Sequence, residues 1–358
     1  MAKHKIVGIS FDHMHMGDLL RMASSHPDAE IVGIFDPNPE KMVKAAQTFN
    51  IPSERVFTDF NACMKAAKPD LAILCAAPAD HATYTERLAK YGVHVFVEKP
   101  FAASATDARR MMAAVKPTGK ILAINWPLAW VESHVKAKQM IDDGVIGELV
   151  EVHFYDGNRG PLYHLADKVE VSPEEVEHQK KESWWYKRAS GGGSLLDYMG
   201  YGATLSTWYR NGEAPLEITT VVDQTLGVEV DQHSITVCRY ARGLSKIETR
   251  WGTFTDPWTI QPQPTCGFIF VGTQGTISSP DYASHITVQT RARPQPTPVA
   301  VDELPVGRRN GIEYVLGCIN KGVPVSGALD PELCLTAQRI IDTAMLSMQE
   351  KRTLAVLP

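Results

Sequence analysis

Val93-His94-Val95-Phe96-Val97-Glu98-Lys99-Pro100 is an apolar, β-branched run that ends abruptly on a carboxylate, an amine and a proline. Val93, Val95, Phe96 and Val97 leave no wet face, the pattern of a strand covered on both sides in a parallel sheet. Pro100 has no N–H to give to a ladder and biases Lys99 away from helix, so the strand stops with Lys99 at its rim. In parallel sheets the chemistry gathers just past the carboxyl ends of the strands. An amine half-withdrawn from water there loses proton affinity and suits proton transfer. Lys99 is therefore the first catalytic candidate, although a Glu-Lys couple elsewhere would be an ordinary solvated pair.

Upstream, Lys5 to Ser10 is a short apolar strand, and Met16 to Met22 follows with helical periodicity, giving a strand-turn-helix of the dinucleotide-binding kind. Its glycine fingerprint is damaged: counted from Gly8, which is expected to make the tight turn, the later glycine places hold Ser10 and His13. The helix amino terminus still offers N–H groups to a pyrophosphate. His13 and His15 raise a competing metal reading, but no partner cysteine or carboxylate is obvious, and no metal is expected. A second strand, Ala29 to Phe35, ends on Asp36, placed to accept hydrogen bonds from ribose hydroxyls and to repel a 2'-phosphate. Its competing role is to start the turn and cap a helix from Glu40 to Phe49. Asp70 to Ala77, the run through Lys99, and Ile121 to Asn125 continue the strands, the last as the sixth of a doubly wound sheet with right-handed crossovers.

The chain has 358 residues, 44% hydrophobic and 22% charged, which suits two domains at roughly 100–200 residues each. The expected division is 1–125 for the cofactor and 126–358 for substrate and oligomerisation. A net charge of −5 argues against a nucleic-acid surface. No apolar run approaches the ~18 residues of a membrane span and no signal peptide is visible, so a cytoplasmic protein is expected. The six cysteines are scattered without a CxxC pair and read as reduced, buried thiols.

Downstream, Val131 to Asp142 is an amphipathic helix, after which the pattern changes to alternating strands at 149–155, 216–222, 232–240, 245–253 and 267–271. This is the signature of a large open mixed or antiparallel sheet, with its outer face solvated or paired with a partner. Among these strands lies Asn158-Arg159-Gly160-Pro161, Tyr163-His164, then Trp184-Trp185-Tyr186-Lys187-Arg188 and Gly191-Gly192-Gly193. Three glycines before a helix leave backbone free to approach a ligand. On that helix Asp197 and Tyr201 are four apart and share a face, so they would meet Lys99 across a cleft as a proton-handling group. The plainer reading makes Tyr201 a core aromatic with Asp197 as its hydrogen-bond partner. Asn158, Arg159, His164, Trp184, Trp185 and Lys187 are the expected wall of a pocket for a bulky sugar, an indole platform ringed by polar groups; the alternative is that the tryptophans only anchor the loop.

Ala77-Pro78-Ala79-Asp80-His81, then Glu98-Lys99-Pro100, then Asp143-Gly144-Val145-Ile146-Gly147, then the glycine run with Asp197 and Tyr201, occur in an order that resembles the glucose-fructose oxidoreductase / inositol dehydrogenase / rhizopine catabolism (Gfo/Idh/MocA) family over essentially the whole length. The resemblance implies an amino-terminal Rossmann domain, a carboxyl-terminal α/β domain with a large open sheet that pairs in dimers or tetramers, and hydride transfer between a sugar or cyclitol carbinol carbon and NAD. By this likeness Gly8, Ser10, Phe11, Asp12, His13, Asp36, Ala77, Pro78, His81, Glu98, Lys99 and Asn125 line the cofactor, Lys99 binds the reacting hydroxyl, and Asp197 matches the carboxylate of the helix after the glycine run, in the substrate site. Many members carry histidine four residues past the aspartate as the acid-base group; here it is Tyr201, whose phenol, with a pKa of ~10, needs a nearby cation such as Lys99 to act as a base. Two rivals remain: a cofactor-retaining sugar-sugar oxidoreductase or NAD-dependent glycoside-cleaving enzyme on the same scaffold, and a non-catalytic nucleotide-binding regulator.

Overall fold

The structure is a computed structural model that describes residues 3–165, 169–223 and 227–358. Strands β1 (His4–Phe11), β2 (Ala29–Phe35), β3 (Val56–Phe57), β4 (Leu71–Cys75), β5 (His94–Glu98) and β6 (Leu122–Asn125) form a sheet in the order β3-β2-β1-β4-β5-β6. Every neighbouring pair is parallel. Between the strands run α1 (His15–Ser25), α2 (Val43–Thr48), α3 (Phe60–Ala67), α4 (His81–Ala89) and α5 (Ala105–Val115). The opening stretch behaves as its composition requires, since Val95 to Glu98 are fully buried between β4 and β6. The strand order reverses between β1 and β4, so the crevice for a ligand lies above their carboxyl ends.

After α6 (Glu132–Asp142) comes a second sheet. It is built from β7 (Leu149–Asn158), β10 (Glu217–Val222), β11 (His233–Arg239), β12 (Leu244–Trp251), β13 (Gly267–Gly272), β14 (Gly275–Pro280), β15 (His285–Thr290), β16 (Arg293–Ala300) and β17 (Leu354–Ala355). Its order is β16-β15-β14-β13-β7-β12-β11-β10-β17, antiparallel except where β7 and β12 run parallel. The short β8 (His164–Leu165) and β9 (Val169–Glu170), with α7 (Pro173–Gln179), lead into α8 (Ser194–Tyr209). The chain closes with α9 (Gly311–Lys321) and α10 (Pro331–Glu350). The strands β14 to β16 extend the sheet beyond those expected, and in β16 Pro294, Pro296 and Pro298 mask the strand pattern of an edge.

The helix α8 is buried along almost its whole length, packed between β12 and α10, which explains why its apolar residues show no single stripe. Two local expectations are corrected. The helix expected over Glu40 to Phe49 is a 3₁₀ turn followed by α2, and Asn38 rather than Asp36 caps it, accepting the Glu40 N–H at 3.1 Å. Gly8 makes no turn: it sits inside β1, where a Cβ would come 3.1 Å from the Met16 sulfur, so it gives α1 room to lie close to the sheet.

Candidate functional site

Strand β5 delivers Lys99 to the junction of the two sheets, and the first turn of α8 delivers Asp197 to meet it. The Lys99 amine donates to Asp197 Oδ1, and both side chains are buried. The other oxygen, Oδ2, accepts the Trp251 indole N–H at 3.3 Å. Tyr201, one helical turn on, lies with its ring centroid 5.2 Å from the Lys99 nitrogen. Burial, with Glu98 and Asp197 adding negative charge, raises the Tyr201 pKa well above its ordinary value. The expected lowering by Lys99 is therefore outweighed, and Tyr201 stays a protonated phenol near neutral pH.

A pocket opens over this group, lined by His15, Lys99, Asp156, Asn158, Asp197, Tyr198, Tyr201 and Trp258, among others. Its free volume is about 80 Å³, well below the ~300–1,000 Å³ of a typical small-molecule site. Asp156 was not among the expected residues, yet the alternation of β7 points to it: Val152, Phe154, Asp156 and Asn158 form its inward row. Burial and the neighbouring carboxylates of Asp281 and Asp197 push the Asp156 pKa well up. Trp258 lies on a connection with no periodic signal, and only the fold places it here.

Of the expected sugar wall Asn158 lines this pocket, and the other members lie elsewhere. Trp184 and Trp185 stack on each other, ring centroids 3.8 Å apart, in a 3₁₀ turn, instead of pointing apart. Trp185 sets its edge against His13 at 4.8 Å, and the Trp184 indole donates to the Asp12 carbonyl at 2.9 Å. Arg159 is tied to Asp256 and Glu170, each at 2.7 Å, His164 lies 3.0 Å from Asp256, and Lys187 stands beside Glu182 on the surface. None of these lines the pocket over Lys99. The glycine run is also corrected: a Cβ on Gly192 would lie 2.2 Å from the Trp185 carbonyl oxygen, so the glycine docks the tryptophan turn rather than a ligand.

A second, larger groove of about 790 Å³ runs along the carboxyl edge of the first sheet, lined by Phe11, Asp12, His13, Lys41, Lys44, His164, Trp184 and Trp185, among others. Asp36 is buried, its oxygens accepting the Phe11 N–H at 2.7 Å and the Asn38 N–H at 2.8 Å, so it holds the β1–α1 loop in place. Asp12 accepts the Ser10 hydroxyl at 2.9 Å and the Ala77 N–H at 3.1 Å, and pairs with Lys41. His81 is a buried brace, its ring nitrogens 3.1 and 2.9 Å from the carbonyls of Phe101 and Ala76, and Pro78 packs against Gly191; neither opens on the groove. Glu98 and Asn125 are bonded to each other at 2.7 Å. In position, volume and the two lysines the groove suits an anionic dinucleotide, and the bonded Trp184 and Asp12 both line it. Among the described residues no helix is long and apolar enough to cross a membrane. All six cysteines are free and buried.

A parallel nucleotide-binding sheet joined to an open mixed sheet, with a lysine-carboxylate pair at the junction, defines a two-domain oxidoreductase scaffold. The chain belongs to the Gfo/Idh/MocA family: residues 3–126 match its oxidoreductase, NAD-binding Rossmann-fold model and residues 134–278 its C-terminal domain model. It is 23% identical to an inositol 2-dehydrogenase of Rhizobium meliloti over 94% of each chain. It is 32% identical to a D-apiose dehydrogenase of Paraburkholderia graminis, over 33% of this chain and 31% of that protein. The chain spans about a third of the length of the first curated relatives that it matches. Among solved structures, levoglucosan dehydrogenase with NADH and levoglucosan superposes with a TM-score of 0.76 at 17% identity, covering 99% of this chain and 100% of that one. An aldose-aldose oxidoreductase from Caulobacter crescentus gives 0.79 at 19% identity, covering 99% of both chains. These two likenesses show the shared fold.

Proposed function

We propose that the chain is an NAD-dependent oxidoreductase that passes a hydride between nicotinamide and the hydroxyl-bearing carbon of a sugar, glycoside or cyclitol. The observation that carries the reading is the buried Lys99–Asp197 pair, set with Tyr201 at the floor of a pocket beside the dinucleotide groove. NAD, when bound, supplies the hydride acceptor. Phe11, Asp12, His13 and Lys41 would hold it along the β1–α1 loop. Asp197 accepts the hydroxyl proton directly as the hydride leaves, while Lys99 and the Tyr201 phenol donate hydrogen bonds to the reacting oxygen and hold it in line. The names of the relatives, among them an inositol 2-dehydrogenase and a D-glucoside 3-dehydrogenase, support a carbohydrate hydroxyl as the substrate class. The test is nicotinamide absorbance under a panel of sugars, glycosides and cyclitols. A carbohydrate-dependent rise near 340 nm is expected, and a protein that neither binds nor reduces NAD ends this reading.

A cofactor-retaining cycle is the second reading, favoured by the Trp184 indole that lines the groove and is bonded to the Asp12 carbonyl. Purified protein that carries nicotinamide and does not exchange it supports retention. The outer face of the second sheet carries Val221, Ile235, Val237 and Ile269 exposed, which supports a homodimer or homotetramer paired through it. A monomer mass by light scattering would remove that part of the reading.

A further inference from the structure

We propose that His13, His15 and Glu98 form a binding site for one first-row divalent transition-metal ion, at the boundary between the groove and the Lys99 pocket. The neighbouring carboxylate of Asp12 is taken up by Ser10, Lys41 and the Ala77 N–H, and it is the fold that brings Glu98 to the two histidines, because β5 ends next to the β1–α1 turn. His15 Nδ1 lies 2.7 Å from Glu98 Oε1, across 83 residues of chain, and His13 Nε2 lies 4.0 Å from the same oxygen. All three donor atoms fall within 4.8 Å of one another. Metal–nitrogen bonds of ~2.0–2.1 Å in tetrahedral geometry space ligand atoms about 3.3 Å apart, so shifts of under about 1 Å close the set around an ion.

Two further observations point to a ligand. His13 is almost wholly buried, yet its Nε2 has no hydrogen-bond partner, an expensive state for a polar atom unless something occupies the space before it. Glu98 is held from behind, its Oε2 accepting the Asn125 amide at 2.7 Å, the kind of outer support that orients a ligating carboxylate. Binding at Nε2 moves the ring proton of His13 to Nδ1 and gives up the 3.1 Å bond that Nδ1 accepts from the His15 N–H. Two imidazoles and one carboxylate suit zinc, manganese, iron or cobalt, and three protein ligands leave a position open. His15 also lines the Lys99 pocket, so the open position adjoins the substrate. A carbohydrate hydroxyl ligated there would lose its proton more readily, which deepens the proposed reaction while the site itself does not depend on it.

The full chain, stripped with a chelator and titrated with Co²⁺, tests the site through the visible d–d bands and metal analysis. One equivalent per chain is expected, with affinity falling at least 10-fold in His15→Ala and in Glu98→Gln, each shown folded by its melting curve. His15 is partly exposed and Glu98→Gln keeps the shape of the side chain, so at least one of the two variants serves. Cys266→Ser must leave the spectrum unchanged, since the buried Asp156, Cys266 and Asp281 are the other group with metal-ligand spacing among the described residues. No stoichiometric Co²⁺ in the wild type overturns the proposal, as does undiminished binding in the folded variants or a thiolate charge-transfer band lost in Cys266→Ser. Loss of NAD reduction with the Co²⁺ spectrum intact would count against the proposed function alone.

Discussion

Lys99 and Asp197, 98 residues apart in the chain, form a buried ion pair that joins the end of β5 to the first turn of α8. It ties the nucleotide-binding sheet to the helix that lies on the second sheet, so the same contact bears on stability and on chemistry.

Removing one partner strands the other in a site with little water. Lys99→Ala and Asp197→Ala are each expected to lower unfolding free energy by about 3–5 kcal/mol and turnover by about 100-fold or more. The double variant Lys99→Met/Asp197→Leu should recover part of the stability and none of the activity. Urea unfolding and steady-state rates check both, and single variants as stable as the wild type would show that the pair is solvated.

Tyr201→Phe is expected to lower turnover by roughly 100-fold or more and to leave NAD affinity within a few-fold. Because the folded pKa lies above the ordinary value of ~10, the phenol keeps its proton at every lower pH. The activity profile should therefore show no loss of a Tyr201 proton between about pH 7 and pH 9. A limb in that window that vanishes in Tyr201→Phe would prove a lowered pKa instead.

Acid sensitivity should be traceable to His94. Its Nδ1 accepts the Ile121 N–H at 2.9 Å, and burial, assisted by Lys120, lowers its pKa to about 4. Between that value and the unfolded pKa of ~6.5 the unfolded chain binds more protons, so stability falls as pH falls through this window. The melting temperature of His94→Asn should fall less steeply over the same range. An identical slope would assign the acid response to other groups.

NAD is expected to bind more tightly than NADP, since the carboxylates of Asp12 and Asp36 both lie at the β1–α1 loop, where a 2'-phosphate would approach, and Lys41 is already paired with Asp12. Fluorescence titration with both cofactors decides it, and equal or tighter NADP binding would refute the preference.

What the sequence determined alone is what short-range chemistry encodes. Val95, Phe96 and Val97 in succession leave no wet face, so β5 must be a buried strand, and proline follows its end. Alternation gave the central strands of the second sheet, and four-residue spacing put Asp197 and Tyr201 on one helical face. Tertiary structure decided what meets what. Trp184 and Trp185 carry the composition of a sugar platform, but their turn packs over Gly192 and turns both rings toward His13. Asp36 reads as a ribose ligand from its place after β2, and only the fold shows that it also accepts the loop N–H groups of Phe11 and Asn38. Glu98 comes to His15 and Lys99 to Asp197 only because the parallel crossovers and the buried α8 bring distant strand and helix ends to one junction. Contacts of that range are set by how whole faces pack, and no local pattern of residues carries them.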